Sequence, residues 1–208
     1  MTTTTYPVDL QIERPEKSSR MWALFNIIPL KFIALIVHSI LLTVFGIAVG
    51  FLFFISQIVV LFTGKYPPGW HAFMVNVMRW NMQISVFLYG LRDDFPPFVP
   101  NDDPSSVGLT IPYPKQSSRG WAIMTIIPIK MLALLPQRIV FLFVMLAMAM
   151  VWFQSQIVVL FTGRFPAGMH GFVVGVMRWT TRINAFTYGL CDQYPPLRPE
   201  LTAKKTVL

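Results

Sequence analysis

The chain states one unit twice. Residues 7–98 return as residues 106–197 at a constant offset of 99 positions, and no gap is needed to align them. Ser56–Gly64 recurs unchanged as Ser155–Gly163, Met78-Arg79-Trp80 as Met177-Arg178-Trp179, and Tyr89-Gly90-Leu91 as Tyr188-Gly189-Leu190. Two copies of a long unit are too few for a solenoid and read as a pseudo-symmetric pair. The expected organisation is a first repeat over 7–98, a linker over 99–105, a second repeat over 106–197 and a polar tail over 198–208.

Each copy contains a stretch that sets its solvent. From Ile139 to Gly163, and at the matching positions Ile40 to Gly64, there is no charged residue. At about 1.5 Å per residue such a run makes roughly 38 Å of helix, enough for a tilted bilayer crossing. Two buried helices of this length would need more soluble core than 208 residues can build around them. The charged fraction of 12% is well below the quarter that is usual for soluble domains. Met1 to Arg20 is polar and has no apolar core of a leader, so the first crossing is expected to direct insertion itself. Cys191 is the single cysteine and Arg92 stands at its counterpart, which removes paired thiol chemistry.

Four pieces follow one another in each copy. A proline-marked polar lead-in ends in Ser-Ser-Arg, with Ser19 and Ser118 placed to cap a helix. Next comes an apolar stretch, Trp22–Val37 and Trp121–Pro136, whose Pro29 and Pro128 predict a break and whose Lys31 and Lys130 suit an interfacial helix. The spans Ser39–Phe62 and Arg138–Phe161, charge-free but for Arg138 itself, are the predicted crossings. Gly64 and Gly163 stop them, and Lys65 and Arg164 follow where lipid headgroups begin. The last piece, Trp70–Leu91 and Met169–Leu190, carries an apolar stripe through Phe73, Val77, Trp80, Ile84, Phe87 and Leu91.

That last piece has two readings. Arg79, Arg178 and Arg182 lie within it, beside Trp80 and Trp179. As an interfacial amphipathic helix it would set these arginines against lipid phosphates. As a return crossing it would bring them to mid-bilayer, at about 2.5–3.5 kcal/mol each. The distribution of basic residues favours the return crossing, with both termini and the linker on one side, whereas the arginines favour the interface. The predicted fold is therefore an all-α integral membrane protein of two pseudo-symmetric repeats. Each repeat holds a long transmembrane helix flanked by amphipathic or interfacial helices, the alternative being two crossings per repeat and four in total.

A family resemblance rests on blocks that recur by copy. Arg-Pro-Glu-x-x-Ser-Arg at Arg14–Arg20, Leu-Phe-Thr-Gly-Lys-Tyr-Pro at Leu61–Pro67, Leu-Phe-Thr-Gly-Arg-Phe-Pro at Leu160–Pro166, Val-Met-Arg-Trp at Val77–Trp80 and Val176–Trp179, and Asp-x-Tyr-Pro-Pro at Asp192–Pro196 are the carriers. Together they resemble a family of bacterial membrane proteins known only as a domain of unknown function. The resemblance covers nearly the whole chain and implies a multi-pass protein of the bacterial inner (cytoplasmic) membrane. It supplies no activity. Copy two departs after Ile111, at Pro112-Tyr113-Pro114-Lys115, where copy one has the charged Glu13-Arg14-Pro15-Glu16.

The chemistry that remains is sparse. All nine carboxylates lie outside the apolar segments, which argues against proton or sodium coupling through the membrane. No nucleophile-and-base motif and no phosphate loop occurs, and nothing calls for a cofactor. His71 and His170 are a repeated titratable pair and weak metal candidates, without acidic or thiol neighbours to complete a site. The net charge of +8 is scattered at membrane boundaries, so anionic lipid rather than nucleic acid is the expected partner. The residues expected to meet lipid or a partner are Arg79, Trp80, Arg178, Trp179, Arg182, Lys65, Arg164, Lys31 and Lys130. The expected function is non-catalytic: an accessory or scaffold subunit packed against a larger membrane complex or itself, its N-terminus cytoplasmic. The alternative is an oligomeric pore or lipid- or anion-handling channel lined by Arg79, Arg178 and Arg182.

Overall fold

A computed structural model describes residues 6–100 and 107–199. Most of the expected linker and most of the expected tail lie outside the described residues. In copy one, strand β1 (Asp9–Gln11) is followed by helices α1 (Arg20–Ile27), α2 (Leu30–Ala34), α3 (Ile36–Thr63) and α4 (Pro68–Leu88). Copy two repeats the order as β2 (Gly108–Thr110), α5 (Arg119–Ile126), α6 (Ile129–Ala133), α7 (Leu135–Thr162) and α8 (Ala167–Thr187).

The helix boundaries follow from local chemistry. Ser19 and Ser118 accept the N–H groups of Trp22 and Trp121, which starts α1 and α5. Pro29 and Pro128 then separate these helices from α2 and α6, as the sequence predicts. Gly64 and Gly163 end α3 and α7 in the left-handed region, at φ of 70° and 68°, and return their N–H groups to Val60 and Val159. Both long helices extend slightly beyond the predicted spans. Pro136 does not exclude the start of α7, because a proline in the first turn gives up an N–H that has no partner there.

The all-α expectation needs one correction. The lead-ins are not merely polar: β1 and β2 pair as an antiparallel ribbon, Asp9 with Thr110, Leu10 with Leu109 and Gln11 with Gly108. Val8, Leu10 and Ile12 alternate inward, as do Val107, Leu109 and Ile111, all of them buried. Leu10 and Leu109 are counterparts at the repeat offset, so the ribbon's register is symmetric about its central pair.

The two copies are interlocked. Helix α1 packs on α7 of the other copy, and α5 on α3. Ser18 N–H donates to Gly163 O and Ser117 N–H to Gly64 O, both at 2.9 Å. Met82 and Thr181, also counterparts, meet between α4 and α8 at 3.4 Å. A pseudo-twofold therefore runs through the ribbon's centre and this contact.

Strand and helix directions are fixed by a few pairs. As α3 advances from His38 to Phe45, its ring partners on α4 retreat from Trp80 to Phe73, so the two are antiparallel. As β2 and the residues after it advance from Leu109 to Tyr113, their partners on α4 retreat from Arg79 to His71. The β1 carbonyls of Val8 and Leu10 meet Arg182 and Arg178 of α8 in the same reversed order. With the strands antiparallel, α4 opposes α8 and α3 opposes α7.

Three layers result. The ribbon covers one side of α4 and α8, whose residues are the most enclosed of the molecule. The opposite side is α3 and α7 with α1, α2, α5 and α6, and it is apolar and open. Ile40, Val44, Ile47, Phe51, Phe54 and Phe62 are exposed along α3, and their counterparts Ile139, Phe143, Leu146, Met150, Phe153 and Phe161 along α7. By length and composition alone, α3 and α7 could each cross a membrane.

Candidate functional site

The repeated motifs turn out to be braces. Asp93 and Asp192 accept the N–H groups of Ser19 and Ser118 at 2.6 and 2.7 Å, tying the end of each repeat to the start of its own α1 or α5. Trp80 and Trp179 are fully enclosed and donate their indole N–H to Pro97 O and Pro196 O, both at 2.6 Å. The same proline carbonyls receive His38 Nε2–H in copy one and the Gln137 amide in copy two. This explains how a histidine and a glutamine can be counterparts: each is needed only as a buried donor, which an imidazole N–H and an amide N–H both supply.

Gly90 and Gly189 hold the tightest crossing between the copies. Both have φ of 71°. A Cβ at either position would lie 2.8 Å from the amide of Gln156 or Gln57, which reaches in from the other repeat to the Tyr89 and Tyr188 carbonyls. Only glycine satisfies both the backbone and the approach.

Lys31 and Lys130 are drawn inside. Lys31 is 0% exposed, with its ammonium 4.0 Å from the Phe87 ring centroid and bonded to the Phe87 carbonyl at the end of α4. Lys130 sits 4.4 Å from the Phe186 centroid and donates to Thr187 O at 3.5 Å. Burial lowers both ammonium groups to about 8, against the opposing pull of Asp93 and Asp192. A cation at a helix C-terminus with an aromatic face beside it is favourably placed on both counts.

The arginines clasp the ribbon. Arg178 Nε donates to Leu10 O at 3.0 Å and pairs with Asp9 at 3.1 Å, and Arg182 Nε donates to Val8 O at 3.1 Å. Arg79 reaches Leu109 O at 3.4 Å and Asn76 at 2.8 Å. These donors satisfy strand carbonyls that face the helices instead of another strand. Of the nine residues expected to meet lipid or a partner, Trp80, Trp179, Arg178, Arg182, Lys31 and Lys130 are thus enclosed by their own chain, and Arg79 is half-buried. Each head group of the enclosed six has a partner within its own chain.

Lys65 and Arg164 are exposed, at the ends of α3 and α7. Each gains a neighbour that sequence reasoning did not link to it: the Arg119 guanidinium lies against Gly64 and donates to Phe62 O, and that of Arg20 lies against Gly163. Two matched cation pairs therefore edge the apolar side where it meets the lead-ins. His71 and His170 are buried with Nε2 unpaired, against the Tyr66 and Tyr113 rings and the Phe165 ring respectively. Among the described residues no group of three metal-ligating side chains comes together.

A family model described as Domain of unknown function (DUF4389) matches residues 28–99 and again residues 127–198. No curated protein and no solved structure matches this chain. The two matched segments begin at the helix breaks and end at the proline carbonyls that the buried tryptophans hold.

Proposed function

The chain belongs to this family of unknown function and carries its domain twice, and from that premise we propose a non-catalytic, membrane-embedded scaffold. It sits in the bacterial inner membrane with the apolar side of α3 and α7 in hydrocarbon, and it presents cations to anionic headgroups. The observation that carries this reading is the open apolar side itself. Large exposed apolar residues run the length of both long helices, a contiguous apolar face of the kind that marks a membrane or interaction surface rather than scattered single residues. Its rim is cationic at Lys65 with Arg119 and at Arg164 with Arg20. The lysines within the apolar layer face inward, while Arg138 near the start of α7 is exposed.

The scaffold role extends to a partner complex or to a second copy, since a rigid braced body with one lipid-facing side can present the other to protein. The pore reading draws less support, because the Arg178 and Arg182 guanidinium groups are turned onto carbonyls of their own ribbon.

Flotation of the purified protein with vesicles tests the lipid reading. Binding should rise with phosphatidylglycerol content. Replacing Lys65, Arg119, Arg164 and Arg20 with Gln should weaken it by about 1 kcal/mol per contact at low salt, with the difference shrinking as salt is added. Equal binding to neutral and anionic vesicles by both forms would remove the headgroup part of the proposal.

A further inference from the structure

The molecule's own geometry bears on how it meets the bilayer. Because α3 and α7 are antiparallel and the ribbon strands run alongside α4 and α8, standing the long helices upright would carry the lead-ins through the membrane with them. The segment from Tyr6 to Ser18 tracks the whole length of α8. Tyr6 bonds to Gln193 O beyond one end of the helix, Leu10 lies at Arg178 midway, and Ser18 bonds to Gly163 O near the other end. Its outward side chains include Asp9, Gln11, Glu13, Arg14, Glu16 and Lys17. The central pair Leu10 and Leu109 sits on the pseudo-twofold, so Asp9, Gln11 and Thr110 would stand at mid-bilayer, and the extended backbone that carries them with it. Non-helical backbone does not face lipid within the hydrocarbon, and charges there are costly.

Laid flat, the same body has no such conflict. The apolar layer faces down, with Arg138 near one end of α7 as an exposed charge in it, α4 and α8 lie above it, and the ribbon faces water with polar residues outward and apolar ones inward. The exposed side chains of α2 and α6 in that layer are apolar, because Lys31 and Lys130 are turned inward. The cation pairs at Lys65 and Arg164 then fall at the two far ends of one rim, at a single headgroup level.

We propose that this protein lies in one leaflet, with α3 and α7 parallel to the membrane plane and the ribbon in the aqueous phase, its apolar side occupied by the acyl chains of that leaflet. The inference rests on the membrane-embedded reading above and goes further, since it replaces a spanning orientation with an in-plane one.

Single cysteines in a Cys191→Ser background separate the orientations. Lys65→Cys, Arg164→Cys and Gln11→Cys, all at exposed positions, are challenged with a membrane-impermeant maleimide in spheroplasts and in inverted vesicles. In-plane embedding labels all three from the same face and none from the other. Labelling of Lys65→Cys and Arg164→Cys from opposite faces overturns it in favour of crossing, and protection of Gln11→Cys from both faces overturns it in favour of a ribbon covered by a partner or second copy. Nitroxides at Ile40, Ile47 and Phe54 give an independent reading. Equal oxygen and nickel-chelate accessibility along α3 is expected, and a depth profile that passes through a midplane maximum overturns the proposal. Release of the unmodified protein by an alkaline carbonate wash would instead defeat the membrane-embedded premise itself, a result distinct from opposite-face labelling.

Discussion

The first and second repeats differ at many positions and agree at few functional-looking ones, and the agreement is concentrated where one copy grips the other or closes on itself. Gly90 and Gly189, Gln57 and Gln156, Trp80 and Trp179, Asp93 and Asp192, and Arg79 and Arg178 are identical pairs that make matched contacts. Elsewhere the copies part. Asn26 reaches across to Gln156 at 2.8 Å, whereas its counterpart Thr125 bonds to Trp121 O on its own helix. Tyr66 and Tyr113 stand around His71, whereas Phe165 and Arg14 are their counterparts around His170. Symmetry is thus kept by the interlock and relaxed around it.

The crossings at Gly90 and Gly189 offer the strongest way to break the comparison. Alanine at either should cost about 2–3 kcal/mol, from the left-handed backbone and the displaced glutamine together. Thermal unfolding in detergent should show similar losses at both, and a loss at only one would mean that the two grips are not equivalent. Next in size is the arginine clasp. Arg178→Gln and Arg182→Gln should each destabilise by about 1.5–3 kcal/mol, the range for a hydrogen bond made by a charged donor. The second change installs the residue copy one already has, Gln83, so a loss there measures what the asymmetry contributes. Amide exchange at Val8 to Ile12 should quicken in both variants while that of α3 stays slow.

The smallest effect sharpens the comparison best. His38→Gln copies the solution used by Gln137 and should change stability by under about 0.5 kcal/mol. His38→Ala should cost about 1–2 kcal/mol, by leaving the Pro96 and Pro97 carbonyls without that donor. Equal losses for the two variants would mean that the imidazole ring, stacked 4.7 Å from Phe98, matters more than its hydrogen bond.

Much of the helical layout is legible in the sequence because its signals are local. Charge-free runs, Gly64 and Gly163 after them, and Pro29 and Pro128 inside an apolar stretch each act within a few residues. The ribbon is harder to see. Val8, Leu10 and Ile12 alternate, as do Val107, Leu109 and Ile111, yet each strand has only three paired residues set among prolines and charges, and its partner is 99 positions away. The roles of the arginines and lysines were hidden for the same reason. A charge beside an apolar stripe reads as a surface feature until the carbonyl that receives it is placed, and for Arg182 that carbonyl belongs to Val8. The burial of Lys31 and Lys130 likewise depends on Phe87 and Phe186, which arrive 56 positions later in each copy.

The symmetric ribbon also sets an order of events during synthesis. Leu10 leaves the ribosome long before Leu109 does, and at about 5–20 residues per second its strand waits on the order of 5–20 s for a partner. During that interval α1 has no α7 to pack on, and α3 has no α5. The first apolar helix is therefore made while its polar lead-in is still unpaired, and the body closes only after β2 is followed by α7 and α8.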